Sequence, residues 1–427
     1  LRRPFACSWK PPPRPPAPAR ARLLRSFRHR NFRLFFAGQF VSLTGTWMQS
    51  VAVSWLVYRL TGSSLALGLV GFASHIPVFL FGLFGGCLAD RGDKRRILII
   101  AQTAAMLQAL ALAGLTLSGS GNVWVIGALA MVLGLVNAVD MPTRQSFVVE
   151  MVGREDLLNA IALNSSMFNS ARIVGPALAG LLVAAIGEGW CFLVNGLSYL
   201  AVIAALAAMR LPPSEQPCGD GALAGRVTEG LAYAWRDRRI RSMLGGLVAT
   251  SLFGSSFMTL LPVMVDKVLG HDAKGLGFLM AATGLGSVVA ALVLALRRES
   301  RGLEPWRIVA GLGFGATLVV FALSRDFWMS LVLAPLLGFC LIFFFAASNT
   351  LLQLRSPNAM RGRIMALYAV TLVGMAPFGA LLAGTAASVI DAPTTLALCG
   401  GLCAAGVAFF AAMDRRSGQS GRLIATG

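Results

Sequence analysis

A helix needs about 20 largely apolar residues to cross the hydrocarbon core of a bilayer, and stretches of that kind follow one another through nearly the whole chain. Twelve can be drawn, at 33–58, 64–88, 97–117, 123–141, 158–185, 190–209, 243–265, 275–296, 307–324, 327–353, 363–388 and 394–413. Most are joined by very short loops. Because 56% of the 427 residues are hydrophobic and 13% charged, a water-soluble fold would lack polar surface to present. The expected fold class is therefore an all-α membrane protein of twelve transmembrane helices, with the lipid bilayer as its solvent.

The net charge of +19 does not point to nucleic acid, because the cations punctuate apolar runs rather than forming a stripe on a soluble domain. Lys and Arg near membrane ends collect on the cytoplasmic side. With the N-terminus inside, about 32 of the 37 fall in tails and even-numbered loops, about 4 fall outside, and one lies within a helix. Flipping the chain or deleting one helix would scatter them onto both faces. The expected placement is multi-pass in the cytoplasmic (inner) membrane, with both termini in the cytoplasm.

Composition divides the chain further. Residues 1–32 open with LRRPFACSWKPPPRPPAPARARLL, rich in Arg and Pro and without the apolar core of a cleavable signal, so a disordered basic cytoplasmic tail is expected. Residues 33–209 form an N-terminal six-helix bundle, 210–242 a cytoplasmic linker, 243–413 a C-terminal six-helix bundle and 414–427 a second tail. The linker begins LPPSEQPCGDG and continues into a segment where Leu231, Ala232, Trp235 and Ile240 are spaced for one helical face, predicting an amphipathic surface helix. The halves carry a faint repeat: DLLNAIALN with GPALAGLL matches RGRIMALYA with FGALLAGT, pairing Gly175 with Gly379 and Gly180 with Gly384. Parallel repeats of this kind place a cavity between the halves near mid-membrane.

The sequence offers no catalytic centre. The cysteines, Cys7, Cys87, Cys191, Cys218, Cys340, Cys399 and Cys403, include no CxxC pair and no accompanying histidine cluster, so no metal site is expected. A P-loop and a soluble domain for nucleotide chemistry are also missing. No cofactor is expected beyond an ion gradient, most simply of protons. The remaining partner is a small-molecule substrate, and the chain is expected to act as a monomer.

The strongest local pattern is GGCLADRGDKRR at 85–96, between the second and third helices. Gly85 and Gly86 permit close helix approach, Asp90 accepts hydrogen bonds, and Arg91, Lys94, Arg95 and Arg96 hold the loop inside. The stretch resembles the loop signature of the major facilitator superfamily, G-x-L-A-D-R-x-G-R-R. Gly86, Leu88, Ala89, Asp90 and Arg91 match, Lys94 and Arg95 take the next basic positions, and Asp93 stands in place of the usual glycine. That departure is similar to the enterobactin-exporter-like, transmembrane secretion effector branch. NAVDMPTRQSFVVEMVGREDLLNAIALNSSMFNSARIVGPALAGLL and GTWMQSVAVSWLVYRLTGSSLALG also resemble that branch, so the likeness covers roughly residues 26–413.

The resemblance implies two pseudo-symmetric six-helix bundles that export a small amphiphilic compound, a siderophore or drug, by alternating access, with proton antiport as the implied coupling. It also implies a cytoplasmic latch of Gly86, Asp90, Arg91, Lys94 or Arg95, and an acid at the end of helix 4, for which Asp140 is placed. Gly175, Pro176 and Gly180 approximate the family's antiporter signature, although the same spacing serves ordinary helix packing. A lipid or lysophospholipid flippase on this fold, and a non-transporting receptor or assembly factor, are the alternatives.

From the residues themselves, Arg172 lies too deep in helix 5 to reach water by snorkelling, so it faces an aqueous cavity or finds partners such as Asn164 and Asn169. Gln39, Trp47, Gln49, Asn137, Asn349 and Gln353 are further cavity candidates, each equally able to join helices. His75 is the proton-coupling candidate, with packing as its other reading. No acidic residue is expected at comparable mid-membrane depth.

Overall fold

The computed structural model describes residues 25–210, 231–297, 302–357 and 360–424, with the side chains of Leu83, Cys87, Asp90, Arg91, Arg154 and 414–424 outside the described set. Residues 1–24 and 211–230, which hold most of the expected N-terminal tail and linker, also lie outside it. Among the described residues there is no β-strand.

The helices are α1 Arg30–Thr61, α2 Ser64–Arg91, α3 Lys94–Leu117, α4 Val123–Gly153, α5 Glu155–Ile186 and α6 Glu188–Ala208. Then come α7 Arg238–Val268, α8 Ala273–Leu296, α9 Leu303–Leu323, α10 Phe327–Arg355, α11 Arg361–Val389 and α12 Ala392–Ile424. Eleven are both long and apolar enough to cross a membrane. The exception, α1, has 32 residues, about 48 Å of helix, and falls short only in apolarity. Gln39, Ser42, Thr44, Thr46, Gln49 and Ser50 dilute it.

Boundary chemistry explains the short connections. Side chains of Ser63, Asp93, Asn122, Asp237, Asp272 and Asp326 cap α2, α3, α4, α7, α8 and α10 by accepting backbone N–H bonds. Glycines with positive φ turn the chain at Gly62, Gly153 and Gly187. Gly153 (φ 69°) is what separates α4 from α5. The helix therefore runs about a dozen residues beyond the apolar stretch ending at 141, straight through Pro142.

Two expected boundaries are corrected. Residues 25–32, assigned to a disordered tail, form the 3-10 turn Arg25–Arg28 and the start of α1. They are clasped to α5: Arg25 Nε lies 2.7 Å from Asp156 Oδ1, His29 Nε2 2.8 Å from Asp156 Oδ2, and the Ser26 N–H donates to Asn159 Oδ1 at 2.9 Å. The expected linker helix ends sooner than predicted, and Ile240 belongs to α7. Leu231 and Trp235 are exposed, Ala234 and Ile240 buried, and Asp237 breaks the helix between them.

The halves repeat one packing scheme. Gly85 of α2 lies on the Ala138 carbonyl of α4, as Gly286 of α8 lies on the Pro335 carbonyl of α10; a Cβ at either would fall inside that carbonyl. The charged ends of the helices, Arg25–Arg30, Lys94–Arg96, Arg210, Arg238–Arg241, Arg297 and Arg355–Arg363, share one face of the molecule, called here the basic face. Toward the far face the halves meet along two glycine seams. A Cβ on Gly384 of α11 would come within 2.7 Å of Gly68 Cα in α2, and one on Gly180 of α5 within 3.1 Å of Gly277 Cα in α8. The Tyr58 hydroxyl of α1 also donates to Asp266 Oδ2 of α7 at 2.8 Å. This hydrogen bond crosses between the halves.

Candidate functional site

Arg172 lies 17 residues from the start of α5 and 14 from its end, about 26 and 21 Å along the axis. Its carbonyl backs onto α8, where a Cβ on Gly284 would approach to 3.0 Å, so it stands on the seam between halves. The guanidinium lies 5.7 Å from the ring centroid of Trp47 in α1, a cation–π geometry. Trp47 in turn meets Phe168 edge-on at 5.8 Å. Neither predicted amide partner reaches it: Asn169 donates to the Ser165 carbonyl, and Asn164 Oδ1 is buried without a hydrogen bond. No carboxylate among the described residues forms an ion pair with Arg172.

The repeat read in the sequence becomes a twofold relation around this residue. Gly175 approaches Thr44 and Trp47 of α1, while Gly379 approaches Leu252 and Ser255 of α7. Pro176 offers its carbonyl to Gly277, where a Cβ would come within 2.5 Å, and Gly180 completes that contact. These three residues therefore form a seam between helices and contribute no polar group to the cavity.

The latch residues arrange differently from expectation. Lys94 Nζ pairs with Glu150 Oε1 at 2.5 Å, both side chains largely shielded, and not with Asp140. Arg95 donates to the Leu206 and Ala207 carbonyls at 2.7 and 2.6 Å, closing the end of α6. A Cβ on Gly86 would meet nothing within 4 Å, so Gly85, not Gly86, makes the close helix contact. The side chains of Asp90 and Arg91 lie outside the described residues. Asp140, 13 residues before Gly153, faces Arg144 and not Lys94 in this structure.

Asp140 is instead a carboxylate buried inside the N-terminal bundle. It is 4% exposed, accepts from Gln102 Nε2 of α3 at 2.7 Å, and faces Arg144 Nε at 3.7 Å. Ser42 of α1 donates to Gln102 Oε1 at 3.4 Å, and the Thr46 and Tyr199 hydroxyls lie 3.2 Å apart nearby. Farther along, Asn195 donates to Gln49 Oε1 at 2.7 Å and Gln49 to Gln108 Oε1 at 3.0 Å. Gln49 is thus a strut inside the bundle and not a cavity residue. Gln39, 2% exposed, is enclosed as well. Amides with no water to bond find one another.

Of the other candidates, Asn137 is partly exposed on α4. Gln353 Nε2 donates to Asn349 Oδ1 at 2.5 Å, one turn away on α10, and both keep solvent-accessible surface. His75 is exposed, its Nδ1 2.9 Å from the Gly71 carbonyl of its own helix, and it pairs with no described carboxylate. A roughly 630 Å³ groove lined by Leu65, Leu69, Phe72, Trp124 and Met131 lies between α2 and α4. Its lining is uncharged, with Thr61 and Ser63 as its polar side chains, and it shares no residue with the polar site. Glu150 and Arg144 escaped the sequence reading because helix 4 was ended too early.

Comparisons with known proteins agree with this architecture. The family model for "Transmembrane secretion effector" matches residues 22–425. The chain is 24% identical over 371 residues to the staphyloferrin A transporter of Staphylococcus aureus, covering 86% of this chain and 92% of the other. It is 27% identical over 359 residues to the multidrug efflux pump Tap of Mycolicibacterium fortuitum, covering 81% and 87%. It is 26% identical over 381 residues to the enterobactin exporter EntS of Shigella flexneri, covering 89% and 90%. The fold superposes on the nucleoside transporter NupG with a TM-score of 0.75 at 10% identity, covering 90% and 98%. A bacterial homologue of the lysosomal transporter Spinster, in an inward-facing and occupied conformation, gives 0.68 at 14%, covering 91% and 97%. With the family match spanning nearly its whole length and this twelve-helix fold beneath it, the chain belongs to the transmembrane secretion effector family of major facilitator transporters.

Proposed function

We propose that this transporter exports an anionic amphiphile from the cytoplasm by alternating access, in exchange for protons moving inward. The observation that carries the proposal is Arg172: a cation at mid-membrane, on the seam between halves, stacked on an indole and without a described carboxylate partner. An intramembrane cation is costly unless it pairs or meets water. A substrate carboxylate or phenolate supplies the charge, and the Trp47–Phe168 pair supplies an apolar wall. The siderophores and drugs in the relatives' names fit that chemistry.

In this reading the basic face is cytoplasmic, following the bias of Lys and Arg. The glycine seams and the Tyr58–Asp266 bond at the far face then correspond to the closed periplasmic side of an inward-facing state. Opening outward breaks those contacts and closes the cytoplasmic ends.

The test is uptake into everted membrane vesicles, with enterobactin and staphyloferrin A as anionic probes and a cationic dye as counter-probe. Arg172→Ala is expected to raise the half-saturating concentration of the anionic probes tenfold or more, about 1.4 kcal/mol, and to leave the dye unchanged. Equal transport of all probes by the variant would sink the assignment of Arg172 to substrate.

A further inference from the structure

We infer that the basic face carries a binding site for the phosphate of an anionic phospholipid, built by Arg30 and Arg210 where α1 starts and α6 ends. The site lies within the N-terminal bundle and is independent of what the transporter carries.

One side chain ties the two helix ends together. Asn31 Nδ2 donates to the Arg210 carbonyl at 2.8 Å, and Asn31 Oδ1 accepts from the Arg210 N–H at 3.3 Å. Both bonds use the backbone of Arg210 and leave its guanidinium uncommitted. Beside this tie lies a cavity of roughly 550 Å³, lined by His29, Arg30, Asn31, Met151 and Arg210. Met151, 5% exposed, joins it to the core of the bundle. No carboxylate is among these lining residues.

The acids of this part of the basic face are matched already. Asp156 pairs with Arg25 and His29, Glu155 with Arg25, and Glu150 with Lys94. The last carbonyls of α6 are also taken, since Arg95 holds those of Leu206 and Ala207 at 2.7 and 2.6 Å. Arg30 reaches the Ala208 carbonyl only at 3.4 Å, and the Arg210 side chain has no hydrogen bond or ion pair with a described residue. Two guanidinium groups on one cavity repel each other unless an anion lies between them. Phosphate is the anion whose several oxygens match the planar donor fork of arginine.

Depth and exposed apolar surface make a lipid the source of that phosphate. The 21 residues of α6 give about 32 Å of helix, which matches a hydrocarbon core about 30 Å thick. Arg210 follows the last of them by two positions, so the cavity stands at the level of the headgroups. The exposed face of α6 runs toward that end as Val194, Leu197, Leu200, Ala204 and Ala207, apolar throughout and at helical spacing. A phospholipid with its phosphate between Arg30 and Arg210 lays its chains along this stripe. Free phosphate would use the arginines and leave the stripe bare. Basic pockets of this kind at the cytoplasmic ends of membrane helices suit anionic headgroups.

Native mass spectrometry of the full chain tests the site. The protein is released from mixed micelles holding equal amounts of dioleoylphosphatidylglycerol and dioleoylphosphatidylcholine, which share their acyl chains and differ in charge. Phosphatidylglycerol is expected to stay bound in preference to phosphatidylcholine. Arg30→Gln and Arg210→Gln are each expected to weaken that retention about fivefold, and the two together about twenty-five-fold. The Asn31 bonds to the Arg210 backbone remain in all three variants, and the single variants decide the matter if the double variant does not fold. Arg238→Gln combined with Arg297→Gln removes the same charge from the basic face of the other half, and is expected to leave retention unchanged.

Equal retention by the unaltered chain and the Arg30 and Arg210 variants overturns the inference. So does an equal loss in the Arg238 and Arg297 variant, which makes the attraction a diffuse property of the basic face, or equal retention of the two lipids. Displacement of phosphatidylglycerol by millimolar inorganic phosphate or glycerol 3-phosphate also overturns it, because the occupant is then a soluble phosphate and not a lipid.

Discussion

Between α1, α3, α4 and α6 the N-terminal bundle buries a carboxylate, a guanidinium and a run of amides, from Asp140 and Gln102 to Gln49, Gln108 and Asn195. The matching space in the C-terminal bundle holds Phe257, Phe314, Phe321 and Phe344, each 2% exposed or less, with Phe257 and Phe321 edge-on at 5.2 Å. Its polar groups near α12 are small: Cys403 Sγ lies 3.6 Å from Thr250 Oγ1. The glycine seams obey the twofold repeat, but these interiors do not. Close backbone approach is demanded equally of both halves by the shared geometry. The hydrogen-bonded amides and the carboxylate lie in one bundle, whereas the other packs aromatic rings, with the buried Arg307 guanidinium 5.5 Å from the Phe344 ring.

The most severe way to probe the shared part is to fill its tightest contacts. Gly286→Leu places a side chain against the Pro335 carbonyl, and Gly85→Leu does the same at the Ala138 carbonyl, with backbone on both sides and nothing flexible to give way. Each is expected to cost more than about 4 kcal/mol and to abolish a monodisperse peak in detergent size-exclusion chromatography. If one variant survives and the other does not, the bundles are not equivalent scaffolds.

Smaller changes separate the interiors. Gln49→Leu removes both the acceptor for Asn195 and the donor to Gln108, stranding two buried amides. A loss of about 1–3 kcal/mol is expected, because an unsatisfied buried group bears its full desolvation cost. Thr250→Val in the C-terminal bundle loses only a long contact to a thiol, and should change stability by no more than about 0.6 kcal/mol. Thermal melting in the same detergent compares them directly, and equal losses would erase the distinction between the two cores.

Much of this comparison was legible from residues alone, and its failures are instructive. The apolar runs located every helix, and the spacing of Gly175, Gly180, Gly379 and Gly384 revealed the repeat that became the seams. Arg172 was recognisable because a cation in an apolar run has few explanations. Asp140 was misplaced because the apolar stretch ends at 141 and Pro142 follows, which reads as a helix end in water. In the bundle the helix continues to Gly153, so the acid lies within α4 and not at its end. Gln49 looked like a cavity residue because a lone polar group does not disclose its neighbours, and Gln108 and Asn195 are 59 and 146 positions away. The Lys94–Glu150 pair was hidden for the same reason as Asp140: the extra turns of α4 that carry Glu150 were taken for a loop.

The mildest test addresses a hydrogen bond that ties the unlike halves together. Tyr58→Phe removes the hydroxyl that donates to Asp266 Oδ2 at 2.8 Å and leaves the ring, which meets Trp55 at 6.3 Å, in place. The far face is also closed by the glycine seams, where backbone meets backbone, so the bond adjusts an equilibrium that packing already sets. Hydrogen bonds between membrane helices average about 0.6 kcal/mol, so the closed far face should lose roughly threefold in population relative to the open one. Spin labels on cysteines placed at Leu158 in α5 and Leu296 in α8, 84% and 80% exposed at the basic ends of opposite halves, read this as a modest gain of the closed basic face. A shift of about tenfold or more, about 1.4 kcal/mol, would place the control of the transition at this bond and not in the glycine seams.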